Sequence, residues 1–335
     1  MSKKRIHYLT VFIFCWSIAF VIIIYTQLYS PEDTISPFNT RQLFLVGQRG
    51  SGRTPGWFHN KYILTYGHYP QCFPLDPDIL LYNRIFKTGS TSTQYWLDAF
   101  AHTMNFPLEF ATTEDWYDTG KSRVYPGIIA RHARKKLSRP GVKRFVFVAH
   151  FYFRFKLNLT STYTYINQVR EPVKRVISHY FYIRRNKNRP RHRLKELKKS
   201  GNFDESFDEC LRLQHKGCES NVITRFFCGK HSYCKNGDKR ALRKAKKNIH
   251  RYYAAVGLLE YLEIYLKILQ KRFPSFIPSH ATSWVYEEKV NHLYNMSEVS
   301  MATIQLIERL NSADLKLYEF IKERFWSQAK ACKII

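Results

Sequence analysis

The sequence predicts an α/β protein with a central parallel sheet flanked by helices, and three observations lead to that prediction. From about residue 78 onward, short apolar runs alternate with longer amphipathic segments, which is the pattern of parallel strands joined by crossover helices. Two of the apolar runs end in polar turns, Lys-Thr-Gly-Ser-Thr-Ser and Arg-Glu-Pro, that lead into helical patterns. No internal repeat is visible along the chain.

Each element is predicted from its hydrophobic period and its flanking residues. Strands are expected at 79–85, 144–150, 163–169 and 252–256. Helices are expected at 91–104, 173–184, 239–251, 259–272, 299–310 and 313–326. We assign residues 78–335 to one domain, because a stretch of this length can bury a single core. The basic stretches 195–199 and 240–247 are expected to be solvated helix faces.

The N-terminal part has the composition of a membrane anchor followed by a stem. Residues 8–28 are continuously apolar and aromatic, and the run is long enough to span a bilayer as a helix. Basic residues precede it, so residues 1–7 should stay cytoplasmic and the rest of the chain should be lumenal. A cleaved signal peptide is the alternative, but residues 25–29 offer no small-residue cleavage site. Residues 29–77, rich in Pro, Gly, Ser and Thr, are expected to form a poorly ordered lumenal stem.

The large positive charge indicates a polyanionic partner. The chain has 54 lysines and arginines against 26 acidic residues, which gives a formal net charge of +28. Such a surplus attracts polyanions, and salt weakens the attraction steeply. Nucleic acid would fit the charge equally well, but a lumenal domain meets sulfated or carboxylated glycans rather than DNA or cytosolic RNA. We therefore expect a glycan partner and no nucleic acid.

The first polar turn has the features of a phosphate-binding loop. A helix that begins near Ser90 would point its unpaired N–H groups at an anion, and Gly89 would allow the backbone to come close. Lys87 adds a mobile positive charge just before the turn. The pattern is not a Walker A loop, in which the Lys follows a Gly, and an ordinary surface turn is the alternative. The candidate phosphate ligands are Lys87, Thr88, Gly89, Ser90, Thr91 and Ser92.

The second polar turn adds an arginine at the end of another strand. Pro172 suits the first turn of a helix, so Arg170 should lie at the carboxyl end of the strand 163–169, where open α/β sheets bind ligands. Ser178 follows about two helical turns later and can face the same way. An arginine that only caps a surface turn is the alternative. Together, the two turns predict the two halves of a site for a nucleotide that carries several phosphates.

These residues resemble the sulfotransferases that use 3′-phosphoadenosine 5′-phosphosulfate (PAPS). The run Arg-Glu-Pro-Val-Lys-Arg with Ser178 resembles their 3′-phosphate motif, and the run Lys-Thr-Gly-Ser-Thr-Ser resembles their 5′-phosphosulfate loop. Asn83-Arg84, Phe-Phe-Cys-Gly at 226–229 and Ala-Val-Gly-Leu-Leu-Glu at 255–260 resemble the uronyl 2-O-sulfotransferases of heparan and of dermatan/chondroitin sulfate specifically. The resemblance spans residues 78–327. It implies a P-loop-like sulfotransferase fold, PAPS as the sulfuryl donor and no metal.

The resemblance also implies catalytic roles. Lys87 would stabilise the charge that develops between the sulfuryl group and the departing nucleotide, while Arg170 and Ser178 would hold the 3′-phosphate. His150, at the end of the strand 144–150, would take the proton of the acceptor hydroxyl, because a neutral imidazole titrates in the right range. A structural histidine at a strand end is the alternative. The subgroup often shows His-x-His on this strand, whereas this chain has Val148 at the first position.

Basic residues near these motifs are candidates for acceptor binding. Arg84 is expected to pair with a uronic carboxylate or a sulfate. The basic stretch 184–193 is expected to line a polysaccharide groove, with a solvated loop as the alternative. It departs from the family, whose members carry Phe-Gly-Asp where this chain has an arginine followed by Asn186-Lys187, and this change could alter which sugar is accepted. The proposed acceptor ligands are Arg84, Arg184, Arg185 and Arg189.

Four of the seven cysteines cluster at positions 210, 218, 228 and 234. In an oxidising lumen such close pairs indicate disulfides, although the sequence alone leaves three connectivities open. The resemblance implies the pairs Cys210–Cys218 and Cys228–Cys234. A zinc site that includes His215 or His231 is the alternative, but no Cys-x-x-Cys pair is present. Cys15 lies in the apolar run, and Cys72 and Cys332 stand apart.

The sequence therefore predicts a type II Golgi membrane protein that transfers the sulfuryl group of PAPS to the 2-hydroxyl of a uronic acid in a glycosaminoglycan. Sequons at Asn158 and Asn295 are compatible with a secretory protein. The resemblance alone implies a homo-oligomer, such as a trimer. The alternatives are a PAPS-dependent enzyme for another sugar position or for protein tyrosine, and a non-catalytic, membrane-tethered glycan-binding protein. A lumenal kinase is disfavoured, because the Walker lysine and an obvious metal-binding acid after a strand are missing.

Overall fold

A central parallel sheet organises the chain in the computed structural model. The structure describes residues 63–64, 72–111, 126–185, 195, 198–199, 201, 203–281 and 298–335. The strands in these ranges are β1 (Ile79–Asn83), β2 (Leu108–Phe110), β3 (Phe145–Ala149), β4 (Tyr163–Val169) and β5 (Tyr253–Leu258). They pair in parallel in the order β2-β3-β1-β4-β5. The predicted parallel α/β architecture is confirmed.

The strand order places a topological switch point beside β1. From β1 the chain crosses to β2 and β3 on one side, and it then returns to form β4 and β5 on the other side. Parallel sheets bind their ligands at such a point, outside the carboxyl ends of the strands. The strand order therefore predicts that a ligand would lie beside the residues that follow β1, β3 and β4.

Continuous apolar runs explain why the strands lie at the centre. Every residue of β1, β3, β4 and β5 is buried, as is usual for parallel strands covered on both faces. Aromatic side chains fill much of the core; the ring of Tyr165 has its centroid 5.2 Å from those of both Phe153 and Tyr253. These runs are the strongest part of the sequence signal, and the predicted strands differ from the observed ones by only a few residues at their ends.

Helices flank the sheet. Their bounds are α1 (Ser90–Thr103), α2 (Pro126–Leu137), α3 (Pro172–Arg185), α4 (Phe207–Leu213), α5 (Val222–Cys228), α6 (Lys239–Tyr252), α7 (Leu262–Arg272), α8 (Met301–Leu310) and α9 (Ser312–Ala331). Short 3₁₀ turns occur at Ser232–Lys235 and Leu259–Tyr261, so the helix predicted at 259–272 begins as a 3₁₀ turn. Within the described ranges, no helix combines the length and the apolar character needed to cross a bilayer. The predicted anchor at 8–28 lies outside the described residues.

Four elements were not predicted from the sequence, namely β2, α2, α4 and α5. The β2 strand has three residues at the edge of the sheet, and its side chains are only partly buried. The α4 and α5 helices have seven residues each, too few to display a helical period clearly. The α2 helix carries many basic residues, which hide its apolar stripe of Ile129, Ala130 and Ala133.

A buried charged cluster fixes α3 against α5 and α9. The Asp314 carboxylate accepts hydrogen bonds from the backbone N–H groups of Ile223 (3.0 Å) and Thr224 (2.6 Å), and it therefore caps α5. In return, the Asn221 side chain accepts from the first N–H groups of α9. Arg175 of α3 is fully buried beside this carboxylate and donates to the Glu219 carbonyl (3.3 Å). Since α3 follows the Arg-Glu-Pro turn, this cluster holds one side of the candidate site.

Three disulfides occur among the described residues. Cys210 is bonded to Cys218, and Cys228 to Cys234, so these four cysteines are not ligands of a zinc site. A third bond, between Cys72 and Cys332, was not predicted. These two cysteines are 260 residues apart in the chain, and only the folded topology brings their Cα atoms to 4.9 Å.

Folded residues extend N-terminal to the predicted domain boundary at residue 78. Ile63 is buried and pairs with Tyr163 at the start of β4. Leu75 is also buried, and its N–H group donates to the carbonyl of Arg272. Part of the predicted stem, 29–77, therefore packs on the domain.

The Cys72–Cys332 bond should contribute more stability than either of the short disulfides. Replacing both cysteines by serine should lower the free energy of unfolding by about 2–5 kcal/mol, because the bond closes a very long loop in the unfolded chain. Urea unfolding followed by circular dichroism would measure the loss. The matched control is the Cys210→Ser, Cys218→Ser variant, whose loop spans only 8 residues. A larger loss in this control would contradict the argument from loop length.

Candidate active site

The loops that follow the three central strands meet at the switch point. Lys87 lies in the loop after β1, His150 directly follows β3, and Arg170 directly follows β4. The Phe86 ring lies 4.1 Å from the His150 ring, centroid to centroid, and Arg170 is close enough to affect the titration of Lys87. The structure therefore brings together three residues that were predicted from separate sequence motifs.

A network of buried amide side chains ties these loops together. Asn167 of β4 donates from Nδ2 to the backbone carbonyl of Asn83 (2.7 Å) and to its Oδ1 (2.9 Å) at the end of β1. The neighbouring Gln168 donates from Nε2 to the carbonyl of Thr88 (2.6 Å) and accepts from Thr93 Oγ1 (3.0 Å). All five side chains are buried. The carboxyl end of β4 thus holds the loop after β1 and the first turn of α1.

The predicted phosphate-binding loop, residues 87–92, adopts a conformation that glycine makes possible. Lys87 and Gly89 both have left-handed backbone angles, with φ of 63° and 73°. A Cβ atom on Gly89 would lie 2.4 Å from Leu259 Cδ1 and 2.8 Å from Gln168 Nε2. A non-glycine residue at this position would therefore collide with the side chains that support the loop, in addition to its backbone strain.

The N-terminus of the helix after this loop has the features of an anion-binding site. No side chain caps α1 at Gly89, and its first turn contains no acidic residue. The α3 helix differs, because the Glu171 carboxylate accepts hydrogen bonds from the N–H groups of Val173 (2.9 Å) and Lys174 (2.8 Å). The start of α1 is therefore the better place for a phosphate, and the second loop can contribute the Arg170 side chain rather than its helix terminus.

The hydroxyl residues of the loop have different surroundings. Thr88 is fully buried and donates to the carbonyl of Ile85 (3.1 Å), so its side chain shapes the turn. Arg84 donates to Ser90 Oγ (3.3 Å), to Thr91 Oγ1 (3.4 Å) and to the side-chain oxygen of Gln94. The guanidinium predicted to bind the acceptor therefore lies along the first turn of α1. Thr91 is exposed and Ser92 is partly exposed.

The surroundings of Lys87 disfavour the positive charge of its ammonium group. Its Nζ lies 3.9 Å from the centre of the Tyr182 ring, on the side of α3 that faces the loop. Burial, together with the positive charge of Arg170, lowers the pKa of Lys87 from 10.5 to about 8. Two cations close to each other in a partly buried position favour a bound anion. Tyr182 was not predicted as a site residue, because only the packing of α3 in the folded chain places its ring beside Lys87.

The His150 ring is oriented by a backbone carbonyl. Its Nδ1 lies 2.9 Å from the carbonyl oxygen of Arg84, and because a carbonyl can only accept, Nδ1 carries the hydrogen. The lone pair of the neutral ring is then on Nε2. Burial, with a further contribution from the Arg84 charge, lowers the pKa of His150 well below 6.5. The ring is therefore neutral at physiological pH, which is the state required of a general base.

Ser178 and the predicted groove arginines lie along or beyond α3. Ser178 is buried within α3. Arg184 does not face a groove: its guanidinium forms a buried ion pair with Glu205 (2.6 Å), and His215 contacts the same carboxylate. Arg185 is exposed and pairs with Glu298 (2.6 Å).

Several predicted residues remain without a structural description. Arg189, the Asn186-Lys187 departure and the sequon at Asn295 lie outside the described residues. Asn158, the acceptor of the other sequon, is exposed, as a glycosylation site must be.

Substitution of Gly89 should weaken nucleotide binding selectively. In Gly89→Ala the new methyl group would collide with Leu259 and Gln168, so the affinity for adenosine 3′,5′-bisphosphate should fall at least about tenfold. The matched control is Gly141→Ala, because Gly141 has a φ of 76° but no atom within 4 Å of its virtual Cβ. Titration calorimetry would measure both affinities. An equal loss in the two variants would show that backbone strain, rather than the shape of this loop, decides the result.

Sequence similarity to known proteins covers the same part of the chain as the described domain. Residues 72–321 match the model of the sulfotransferase family. The chain is 30% identical over 258 residues to human heparan sulfate 2-O-sulfotransferase 1, across 74% of this chain and 70% of the relative. It is 29% identical over 261 residues to the chicken protein of the same name, across 75% and 71%. A third relative, heparan sulfate 2-O-sulfotransferase hst-2 of Caenorhabditis elegans, is 28% identical over 212 residues, across 61% and 63%.

The matched segment includes all the strands of the sheet and the loops that carry Lys87, His150 and Arg170. The similarity therefore extends through the whole candidate active site and is not confined to a single motif. The chain belongs to the sulfotransferase family.

Proposed function

We propose that this protein transfers the sulfuryl group of PAPS to the 2-hydroxyl of a uronic acid in a glycosaminoglycan, with heparan sulfate as the favoured acceptor. The observation that carries the proposal is the convergence of Lys87, His150 and Arg170 at the switch point of a sulfotransferase-family sheet. The names of the similar proteins support both the reaction and the acceptor. The net charge of +28 supports a polyanionic acceptor.

The nucleotide would bind across the two loops. The 5′-phosphosulfate would be held by the N-terminus of α1 together with the loop residues 87–92. Arg170 and Ser178 would hold the 3′-phosphate. The lowered pKa of Lys87, caused by burial and by Arg170, supports an anion between these cations. Among the described residues, no group of three or more acidic, histidine or cysteine side chains could hold a metal ion, and the basic residues can supply the positive charge.

His150 and Lys87 would have separate roles in the reaction, one at the attacking hydroxyl and the other at the departing phosphate. PAPS supplies the sulfuryl group. His150 Nε2 would accept the proton from the attacking hydroxyl, and the hydrogen bond from Nδ1 to the Arg84 carbonyl would steady the imidazolium that results. Lys87 would stabilise the negative charge that builds on the departing phosphate. Val148 is buried within β3, and its apolar side chain has no group that could bind a proton in place of a second histidine.

The proposal also includes a place in the cell and an assembly. Residues 8–28 would anchor the chain in the Golgi membrane as a type II protein, with residues 1–7 cytoplasmic and 29–335 lumenal. The three disulfides support an oxidising compartment, and the exposed Asn158 supports glycosylation. A homo-oligomer, such as a trimer, rests on the family resemblance alone.

Radiolabelled PAPS and a panel of desulfated heparan, dermatan and chondroitin acceptors test the reaction. The full chain should place label on the uronic acid, and disaccharide analysis of the product would identify the position. His150→Gln and Lys87→Ala should each lower kcat by about 10²–10³-fold, because each removes a group that acts in the transition state. The control His231→Gln alters an exposed histidine and should retain activity.

Three results would contradict this account. Label on another sugar position would favour the alternative sulfotransferase. Binding of glycan without any transfer would favour the non-catalytic alternative. Full activity in His150→Gln would remove that residue from the mechanism.

The pH dependence should report the charge of Lys87. Because the pKa of Lys87 is lowered to about 8, its ammonium group is lost as the pH rises through that value, so kcat/KM for PAPS should fall above about pH 8. His150 is already neutral above pH 6.5, so the acidic limb should lie below that pH. In Lys87→Arg the side chain keeps its charge, and the alkaline fall should move to higher pH. An unchanged alkaline limb in Lys87→Arg would assign the titration to another group.

A further inference from the structure

The helix α6 carries an uninterrupted positive charge on its outer face. Its sequence, Lys-Arg-Ala-Leu-Arg-Lys-Ala-Lys-Lys-Asn-Ile-His-Arg-Tyr, contains no acidic residue; the nearest one is its N-cap, Asp238. The buried positions are Ala241, Ala245, Asn248 and Ile249, which fix the inner face against the domain. The exposed basic residues are Lys239, Arg240, Arg243, Lys247 and Arg251.

Four of these residues form one continuous row that winds gradually around the helix. Lys239, Arg243, Lys247 and Arg251 follow each other at intervals of four residues, so they project from successive turns on one side of the helix. At a rise of about 1.5 Å per residue the row is about 18 Å long. Because α6 leads directly into the parallel strand β5, its last turn lies at the amino-terminal edge of the sheet. The row therefore extends away from the edge that carries Lys87 and His150.

Basic residues on other helices have acidic partners, whereas the row on α6 has none among the described residues. Glu109 contacts His132 and Lys136 of α2, and Glu263 pairs with Lys267 within α7. Within the described part of the chain, the basic side chains at positions 239, 243, 247 and 251 of α6 form no ion pair. Like charges four residues apart destabilise a helix, and the lowered pKa of Lys244, caused by burial and then by Lys247 and Arg251, reflects this crowding.

We propose that the exposed row of α6 is a docking site for a sulfated polysaccharide, which holds a stretch of the acceptor chain beyond the reacting sugar. The identity of the polyanion rests on the proposed function. Charge complementarity supports an extended polyanion, because the row presents four cations along a line of about 18 Å. An anionic membrane is disfavoured, because membrane-surface helices expose large apolar residues beside their cations, whereas the apolar residues of α6 face inward.

The test compares two triple variants of the full chain with equal changes of charge. One is Arg243→Gln, Lys247→Gln, Arg251→Gln on α6; the control is Arg131→Gln, Arg134→Gln, Lys135→Gln on the exposed face of α2. The α6 variant should bind long heparan sulfate chains at least about tenfold more weakly and show a shallower dependence on salt, while the control changes less than about twofold. Its unfolding temperature should not fall, because repulsion within the helix is removed.

Measurements of turnover distinguish failure of the docking site from failure of the proposed function. In the α6 variant, KM should rise for long heparan sulfate, while kcat and KM for a hexasaccharide acceptor stay unchanged. Loss of polysaccharide affinity in a chain that sulfates no acceptor would support the docking site and reject the proposed function. Equal behaviour of the two variants in an active enzyme would reject the docking site alone. If the α6 variant lost affinity only for vesicles of phosphatidylcholine and phosphatidylserine (4:1), and not for heparan sulfate, the docking site would be rejected and the row assigned to a membrane.

Discussion

Buried amide hydrogen bonds from β4 hold the candidate active-site loops of this sulfotransferase-family protein. Asn167 binds the end of β1 through Asn83, and Gln168 binds the phosphate loop through the Thr88 carbonyl and Thr93. A buried amide left without a partner costs about 1–3 kcal/mol, so each of these groups holds its neighbour in place. The strained backbone of Lys87 and the close approach at Gly89 persist because this network determines the shape of the loop.

The sheet and the central site residues could be predicted from the sequence, because the relevant signals are local. The strands are continuous apolar runs, and parallel strands direct their carboxyl ends to one edge of the sheet. His150 and Arg170 directly follow such runs, and Lys87 lies in the loop after another, so their convergence follows from the topology. Their roles in binding and catalysis remain proposals that rest on the family and on the geometry of the site.

Features that depend on contacts between distant segments could not be predicted. The sequence does not show that the Asn83 and Gln168 side chains join β4 to the loop after β1, because their partners lie on other elements of the fold. The Cys72–Cys332 bond joins positions that have no local relation. The sequence predicts Arg184 as part of a basic surface stretch, but in the folded chain its guanidinium is buried and forms an ion pair with Glu205. In each case packing of separate elements determines the outcome.

The central claim is that the two loops together bind a nucleotide with both a 3′- and a 5′-phosphate. Calorimetric titration with adenosine 3′,5′-bisphosphate and with 5′-AMP tests it most directly, since the two ligands differ only in the 3′-phosphate. The account predicts that the bisphosphate binds about tenfold to a hundredfold more tightly, and that Arg170→Gln removes this difference while leaving the affinity for 5′-AMP nearly unchanged. Equal affinities in the unaltered protein, or binding of neither ligand, would contradict it.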